Sequence, residues 1–415
     1  MEFTTDAEEP PEEPGRRKPW MPPGADADVE SEVLFGDETE SHFWIPQRLT
    51  DKSSSLVMAV NDFHFAMVND HPRNEFFRKA LTKVISPATH VLEIGTGSGL
   101  LAMIAAQLGA QHVTAIEANG HMAALARENI AANGMSERIT VLNAMSTEVG
   151  VDRLAPHGPA DVLVSEILGT LMLGESALDY TADVRTRGLI APGASVVPRF
   201  GRQCVTLIES ADLESITRCT GWGGLDLSQL NQLQDTASLV FTKQFGFRIS
   251  SCVHRYLADR IVVADVDFAR TGPNDMPLER TFSIRANASG VVHAVLCSWE
   301  VSAEEDPDLC MTTHPEDTVA NFPRDMQVRR GAPRALSPLS PLSPSIARAR
   351  FKGNAPRPSQ WGQGLQLIED VSVSTGLPAP FLVHEGEELE LLVRFSHDMC
   401  VLQCELRRKA GVADA

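Results

Sequence analysis

The feature that most constrains the fold is a regular alternation, between residues 90 and 197, of short apolar segments with segments of helical spacing. The apolar segments are HVLEIG, HVTAIEA, RITVLNA and ADVLVSEI, and two clear helical patterns are 100–108 and HMAALARENIAANG, which ends at a C-cap Gly134. Parallel strands need long crossover connections, usually helices, so this alternation predicts a doubly wound parallel sheet. Ligands of such sheets bind at the carboxyl ends of the strands, where functional residues are therefore expected.

The periodicity changes after residue 198. The stretches FGRQCVTLIES, DRIVVADVDFA, ERTFSIRANASG, VVHAVLCSWEV and ELELLVRFSHDMCVLQCEL alternate apolar and polar residues between turn signals. This pattern predicts an antiparallel sandwich or barrel. Before the parallel sheet, residues 41–84 have helical apolar spacing, and Pro72 marks a break between two helices.

These patterns divide the chain into three parts. Residues 1–40 are rich in Pro and Glu, with 13 acidic and 3 basic residues, and are predicted to be a disordered tail. Residues 41–197 form the first domain with its N-terminal helices, and 198–415 form the β domain. Within the latter, 211–241 interrupts the strand rhythm as a helical excursion. Residues 323–357, with eight Lys or Arg and one Asp, are predicted to be a mobile basic Ser/Pro-rich loop.

Composition excludes several classes of protein. The net charge of −19 repels phosphate backbones, so we expect no direct nucleic-acid partner. No apolar run approaches the length of a membrane span, and the acidic N-terminus is unlike a signal or transit peptide, so we expect no membrane association. Seven Cys without paired CxxC spacing predict neither a disulfide framework nor a metal site. The cytoplasm is the expected compartment, with the nucleus as the alternative.

A glycine-rich turn follows the first predicted strand. VLEIGTGSG places Gly95, Gly97 and Gly99 between a strand and a helix with GxGxG spacing, whereas a dinucleotide fingerprint reads GxGxxG. Glu117 ends the second strand, about 20 residues further on, where a carboxylate can accept both ribose hydroxyls of a nucleoside. The P-loop lysine is missing from this turn, which favours S-adenosylmethionine over ATP.

Several segments resemble known motifs. VLEIGTGSG resembles the first motif of class I methyltransferases, and VSEILGTLMLGESAL resembles the double-glutamate loop of the protein arginine N-methyltransferases. HFAMVNDHPRNEFF is similar to the N-terminal helical region of that family, and SQWGQ at 359–363 stands where the family carries a Thr-His-Trp loop. The details NDHPRN, STEV, GESAL and CSWEV are most similar to the type III, monomethylating branch. The glycine loop occurs once in this chain, and in this respect the chain resembles the single-module protozoan members of that branch.

The resemblance implies a fold and a set of site residues. The fold is a class I methyltransferase sheet followed by an antiparallel β-barrel, with 211–241 as a helical dimerisation arm of a homodimer. Its apolar candidates for docking on a partner are Leu213, Ile216, Trp222, Leu225, Leu230 and Leu233. The cofactor is S-adenosyl-L-methionine, which leaves as S-adenosyl-L-homocysteine. The implied residues are Glu166 and Glu175 for catalysis, Met67, Arg73, Gly95, Gly97, Glu117 and Ser146 for the cofactor, and Gln360 and Trp361 for the substrate.

Arginine methylation explains why two carboxylates are needed. They hold the planar guanidinium by charge-assisted hydrogen bonds and draw its positive charge to one edge, so that one terminal nitrogen becomes nucleophilic. Gln360 replaces the usual His of the family loop, so no histidine can remove a proton there. The branch resemblance implies monomethylarginine as the main product. The implied substrates are arginine-rich proteins such as RNA-binding proteins and histones, whose charge suits an acidic surface. Arg348 and Arg350 form an RxR triplet, a hypothetical self-methylation site.

The sequence bears on four alternative functions. A nucleic-acid base methyltransferase of the amino-methylating type usually carries an Asn/Asp-Pro-Pro-aromatic segment after the fourth strand, where this chain has SEIL. A nicotinamide dehydrogenase is disfavoured by the GxGxG spacing and the antiparallel second half. A dimethylating arginine methyltransferase and a noncatalytic scaffold of the same fold stay open.

Overall fold

This computed structural model describes residues 62–219, 221–233, 249, 252–304, 306, 309–315, 318–319, 357–358, 362–368, 370 and 380–409. Two helices stand at the start of this described part. Helix α1 is Asp62–Val68 and helix α2 is His71–Val84. The Asp70 carboxylate caps α2 by accepting the Arg73 backbone N–H at 3.0 Å. Pro72 lies in the first turn of α2, where a backbone N–H has no helical partner to lose. The predicted break between two helices is therefore confirmed.

A parallel sheet follows, as predicted, and it contains a fifth strand beyond the four that the sequence indicated. Its strands are β1 (His90–Ile94), β2 (His112–Glu117), β3 (Ile139–Asn143), β4 (Ala160–Ser165) and β5 (Ile190–Val197). Its helices are α3 (Leu100–Gln107), α4 (Gly120–Ala132) and α5 (Ala177–Thr186), with 3-10 turns at Ser146–Glu148 and Val151–Leu154. The strand order is β3-β2-β1-β4-β5, and each neighbouring pair is parallel.

Strand order places the crevice of the sheet between β1 and β4. The chain runs outward from β1 through β2 to β3, then returns to β4 on the other side of β1. The loops that follow β1 and β4 therefore leave the sheet in opposite directions, which opens a ligand crevice at their carboxyl ends. All five residues of β1 are buried, as a strand covered by helices on both faces requires.

The second half is antiparallel, apart from the short parallel pair of Thr318–Val319 with Arg357–Pro358, and its sheets form the predicted β-barrel. The longest strands are β6 (Phe200–Glu209), β8 (Ile261–Asp267), β9 (Glu279–Arg285), β11 (Ala294–Ser302), β17 (Glu388–Phe395) and β18 (Leu402–Arg408). Shorter strands are β7 (Arg255–Tyr256), β10 (Gly290–Val292), β12 (Cys310–Thr312), β13 (Thr318–Val319), β14 (Arg357–Pro358), β15 (Gly364–Leu367) and β16 (Phe381–Val383). A 3-10 turn covers Pro273–Asp275. The stretch predicted last, 388–408, is a hairpin of two strands, because its SHDMC segment forms a turn.

The excursion after β6 begins with helix α6 (Ala211–Thr217) and continues to a 3-10 turn at Ser228–Leu233. Trp222, Leu225 and Leu230 are exposed, Trp222 by 82%. Leu213 is buried against the barrel at 3% exposure, so its assignment to a partner surface is wrong. Residues 234–241, the side chains of Ile216 and Leu233, the acidic tail and 323–356 lie outside the described part. Among the described helices, none is long and apolar enough to span a membrane.

Candidate active site

The glycine-rich turn after β1 leaves space beside its backbone. Gly95 and Gly97 have φ of +72° and +54°, a region that side chains other than glycine rarely adopt. A Cβ on Gly97 would meet nothing within 4 Å, so a ligand can approach this backbone. A Cβ on Gly95 would lie 3.0 Å from Cγ2 of Ile167, the residue directly after Glu166. The glycine turn and the loop after β4 are therefore in contact.

Glu117 closes one side of this turn. Its Oε2 accepts the Gly97 N–H at 2.9 Å, and its Oε1 accepts the Asn119 N–H at the same distance. Asn119 in turn caps α4 by accepting the N–H groups of His121 and Met122. The carboxylate is thus held at the end of β2, next to the open face of Gly97.

A second acid, Glu93, lies beneath the turn inside β1. It is fully buried, and its Oε2 accepts the hydroxyl of Thr96 at 2.7 Å. Burial raises the pKa of Glu93 to about 7, and the charge of Glu117 adds to the rise, while the Thr96 hydrogen bond opposes it. Sequence reasoning missed this residue, although a single acid within an apolar strand, HVLEI, was an available signal.

Glu166 leaves β4 and meets Arg73 of α2. The Arg73 Nε donates to Glu166 Oε2 at 3.1 Å, and Nη2 donates to the same oxygen. The two side chains are 8% and 4% exposed, so the ion pair is buried. Arg73 Nη1 also donates to Asn74 Oδ1 at 2.9 Å. Sequence reasoning assigned Arg73 to a cofactor carboxylate, whereas here its guanidinium binds the carboxylate of a candidate catalytic residue.

Glu175, nine positions further along, is an exposed residue, yet the protein around it partly desolvates its carboxyl group. This desolvation, together with the neighbouring charge of Glu166, raises the pKa of Glu175 to about 7. The two carboxylates are therefore close enough to interact. A pair of this kind holds its second negative charge weakly, so it favours a cationic ligand.

Ser146 begins the short turn after β3. It is buried, and its hydroxyl oxygen has no hydrogen-bond partner among the residues that the structure describes. Arg187 holds this turn by donating to the carbonyls of Ser146 and Val149, each at 2.6 Å, while it also pairs with Asp183. A buried hydroxyl without a partner is uncommon, and a bound ligand would satisfy it.

The structure thus brings together most of the predicted residues at the carboxyl edge of the sheet. Met67 is half-buried on α1, close in sequence to Arg73. Gln360 and Trp361, the predicted substrate residues, lie outside the described residues. Among the described side chains, no group of three or more His, Cys, Asp or Glu could hold a metal ion.

Comparison with known proteins agrees with this geometry. The family model described as ribosomal protein L11 methyltransferase (PrmA) matches residues 69–191, which cover α2 and most of the parallel sheet. The chain is 36% identical over 242 residues to an arginine N(omega)-methyltransferase of Streptomyces achromogenes subsp. streptozoticus, and 28% identical over 262 residues to protein arginine N-methyltransferase 7 of Drosophila melanogaster. The chain is therefore similar over more than half of its length to arginine N-methyltransferases.

The matched regions cover only part of this chain and of its relatives. They cover 58% and 60% of this chain, and they span 64% of the Streptomyces protein and 37% of the fly protein, so the chain matches less than two thirds of the length of either relative. Among solved structures, the Trypanosoma brucei PRMT1 enzyme–prozyme heterotetrameric complex with AdoHcy has a TM-score of 0.59 at 20% identity, covering 81% of this chain and 88% of that one. Arabidopsis thaliana protein arginine methyltransferase 10 has a TM-score of 0.57 at 18% identity, covering 86% and 96%. These two structures establish the shared fold.

Proposed function

We propose that this chain transfers a methyl group from S-adenosyl-L-methionine to a guanidino nitrogen of arginine. The observation that carries the proposal is the pair Glu166 and Glu175, two interacting carboxylates in the loop after β4. The loop contacts the glycine turn through Ile167. A guanidinium bound by the pair would therefore lie next to a ligand bound along that turn.

The residues present fit the proposed cofactor. Gly97 leaves open space for a ligand, Glu117 offers a carboxylate for ribose hydroxyls, and the Ser146 hydroxyl lacks a partner among the described residues. Arg73 is a fork-shaped donor suited to a carboxylate such as that of the cofactor's methionine part. When bound, S-adenosyl-L-methionine supplies an electrophilic sulfonium methyl group.

The two glutamates would bind and polarise the guanidinium of the acceptor. Each carboxylate can accept N–H groups from one edge of the guanidinium, which fixes the plane of the substrate. Their negative charge draws the delocalised positive charge toward the bound edge, so the free terminal nitrogen gains lone-pair character. Holding two reactants in a reactive orientation contributes roughly 7 to 11 kcal/mol in favourable cases, so positioning supplies much of the rate.

We further propose that arginine-rich proteins are the substrates and monomethylarginine the main product. The net charge of −19 favours cationic peptides through electrostatic attraction. Gln360 in place of a histidine supports a pocket that differs from that of dimethylating relatives. Abundant dimethylarginine at low enzyme concentration, measured by mass spectrometry, would contradict the product assignment.

A second candidate substrate is free arginine. The relative with 36% identity is named an arginine N(omega)-methyltransferase, and that name does not specify a protein substrate. The methyl donor and the glutamate pair would serve free arginine equally well. What differs is the surface around the pocket, which a peptide would contact and a free amino acid would not.

One experiment separates these functions. Radiolabelled S-adenosyl-L-methionine is incubated with an RxR peptide, with free L-arginine and with nucleic acid, using the wild type, Glu166→Gln and a control, Glu128→Gln. Glu128 is an exposed acid of α4. We expect label on the peptide, lost in Glu166→Gln and retained in the control. Label on free arginine alone would support the second candidate. No label on any acceptor, with normal cofactor binding, would indicate a noncatalytic scaffold.

We also propose that the chain forms a homodimer through 211–241. Trp222, Leu225 and Leu230 are exposed apolar residues of one segment, a pattern that favours a protein partner. Sedimentation should show a monomer when all three are changed to Ser. A dimer that persists would refute this role for the segment.

A further inference from the structure

The loop that carries both glutamates has little structure of its own. Residues 166–175, here called the glutamate loop, contain neither helix nor strand, and their local order is a turn in which the Gly174 N–H donates to the Leu171 carbonyl at 2.9 Å. Buried irregular backbone needs hydrogen-bond partners from elsewhere. The positions of the two carboxylates therefore depend on what the loop packs against.

Two buried side chains of the barrel supply such partners. Gln203 Oε1 on β6 accepts the Met172 N–H at 2.8 Å, and the Trp299 ring N–H on β11 donates to the Gly169 carbonyl at 3.0 Å. Gln203 and Trp299 lie directly opposite each other on the paired strands β6 and β11. They are 2% and 0% exposed, so water does not compete for these contacts.

The surrounding packing fixes both contacts. The Gln203 Nε2 donates to the Ser298 carbonyl at 2.9 Å, which sets the orientation of the amide and turns its oxygen to Met172. A Cβ on Gly201 would lie 2.6 Å from the Met172 sulfur, so the loop rests directly on β6. The structure therefore leaves little room for the middle of the glutamate loop to shift.

The end of the loop has a third contact with the barrel. Ser176, directly after Glu175, has a φ of +59°, and its hydroxyl lies 3.2 Å from the sulfur of Cys400, in the turn between β17 and β18. A left-handed serine needs support from its surroundings. The barrel thus contacts the loop near Glu166, at its middle and directly after Glu175.

We propose that Gln203 and Trp299 are positioning residues, which hold Glu166 and Glu175 at the separation that guanidinium binding needs. This inference rests on the proposed function, because it assumes that the two carboxylates bind the acceptor. Catalytic groups must be held within a fraction of an ångström, and groups that do so commonly lie outside the site. The barrel is then a template for the active site.

Gln203→Leu tests the proposal, and Gln366→Leu is its matched control. Gln366 on β15 is equally buried at 2%, and its amide makes two hydrogen bonds to the backbone of Cys404 rather than to the glutamate loop. We expect Gln203→Leu to lower kcat by about 10²-fold, the effect of a misplacement near 1 Å. The affinity of Gln203→Leu for S-adenosyl-L-homocysteine should stay within about twofold of wild type, a difference well below the 1.4 kcal/mol that corresponds to about a tenfold change. Gln366→Leu should keep kcat.

A kcat that is retained in Gln203→Leu, or lost equally in Gln366→Leu, would overturn the proposal. Trp299→Phe, which keeps an aromatic ring and removes the N–H donor, provides a second variant, and we expect its kcat to fall as well. If Gln203→Leu does not fold, retained kcat in Trp299→Phe overturns the proposal.

A measurement that needs no activity separates this inference from the proposed function. Amide hydrogen exchange at Met172 should accelerate in Gln203→Leu but not in Gln366→Leu. If the wild type methylates no acceptor, the proposed function fails, and faster exchange at Met172 still supports the positioning of the loop. Unchanged exchange would overturn it.

Discussion

Arg73 and Glu166 form a buried ion pair that joins helix α2 to the loop after β4. Two nitrogens of the Arg73 guanidinium donate to one oxygen of the Glu166 carboxylate, and both side chains are largely shielded from solvent. The pair links a residue assigned to the cofactor with a residue assigned to catalysis. Removing either partner would leave a buried charge without compensation.

We predict that Arg73→Lys weakens binding of S-adenosyl-L-homocysteine by about tenfold or more, because a hydrogen bond to a charged group contributes about 1.5 to 3 kcal/mol. Lysine keeps the charge but cannot form the fork. Binding of 5′-methylthioadenosine, which lacks the carboxylate, should be unchanged. Calorimetric titration of both ligands checks this prediction.

The control for Arg73→Lys is Arg78→Lys on the same helix. Arg78 pairs across the surface with Glu75, at 3.4 Å, and both side chains are about half exposed. The Arg78→Lys variant should bind S-adenosyl-L-homocysteine and 5′-methylthioadenosine as tightly as the wild type. Equal loss of the two ligands in Arg73→Lys would show that Arg73 acts through Glu166 alone.

The raised pKa of Glu175 predicts a pH dependence for the acceptor. A carboxyl group with a pKa of about 7 is mostly neutral below that pH and attracts a guanidinium weakly. The value of kcat/KM for the arginine acceptor, at saturating cofactor, should therefore rise about tenfold per pH unit below 7 and level off above it. Glu93 has a similar pKa, so Glu93→Gln is the control. If Glu93→Gln abolishes the rise, Glu175 is not its source.

Glu93 itself predicts a change in stability. Its folded-state pKa, about 7, exceeds the ordinary value of 4.5, so it favours folding fully at pH below 4.5 and loses that contribution as pH rises through 7. Glu93→Gln stays neutral and can still accept the Thr96 hydroxyl. Its free energy of unfolding, relative to wild type, should increase between pH 4.5 and pH 8 by up to about 3 kcal/mol. Urea unfolding at the two pH values measures this. An equal difference at both would contradict it.

A cluster of three histidine rings at the opposite edge of the sheet predicts acid sensitivity. The rings of His112 and His157 are parallel within 12°, with centroids 4.2 Å apart, and His90 lies 5.8 and 5.3 Å from them. Burial, together with positive charge on His157 and His90, lowers the pKa of His112 to about 4. Burial also lowers the pKa of His90, while its bond to the Gly158 carbonyl and the charge of Asp161 oppose the shift.

Because its pKa is lowered in the fold, neutral His112 stabilises the protein above pH 6.5, and this contribution is lost as the pH falls toward 4. We expect the free energy of unfolding of the wild type to fall by about 1 to 2 kcal/mol through His112 over that range, a value reduced for partial solvent exposure. His112→Gln should lose less, as measured by urea unfolding at pH 7 and pH 4.5. His121→Gln, at an exposed position of α4, should behave as the wild type. Identical acid loss in His112→Gln would contradict the prediction.

Much of the fold followed from local patterns. Its first four parallel strands were visible because each is a mainly apolar run, as burial on both faces requires, whereas β5 (IAPGASVV) was missed because its middle is neither apolar nor buried. Glu117 was identifiable because it ends β2, and strand ends define the ligand edge, whereas Glu166, directly after β4, was identified through the family resemblance of its segment. The boundary between the strands of 388–408 was missed, because the apolar Met399 and Cys400 of its turn continue the pattern.

The sequence by itself determined the sheet, the glycine turn and the two glutamates, because hydrophobic period and turn chemistry are local properties of the chain. Tertiary structure alone decided that Arg73 binds Glu166, that Glu175 has a raised pKa, and that Gln203 and Trp299 hold the loop between the glutamates. These features depend on distance and burial between residues up to 130 positions apart. No local pattern encodes such proximity, since it arises only when the barrel packs against the carboxyl edge of the sheet.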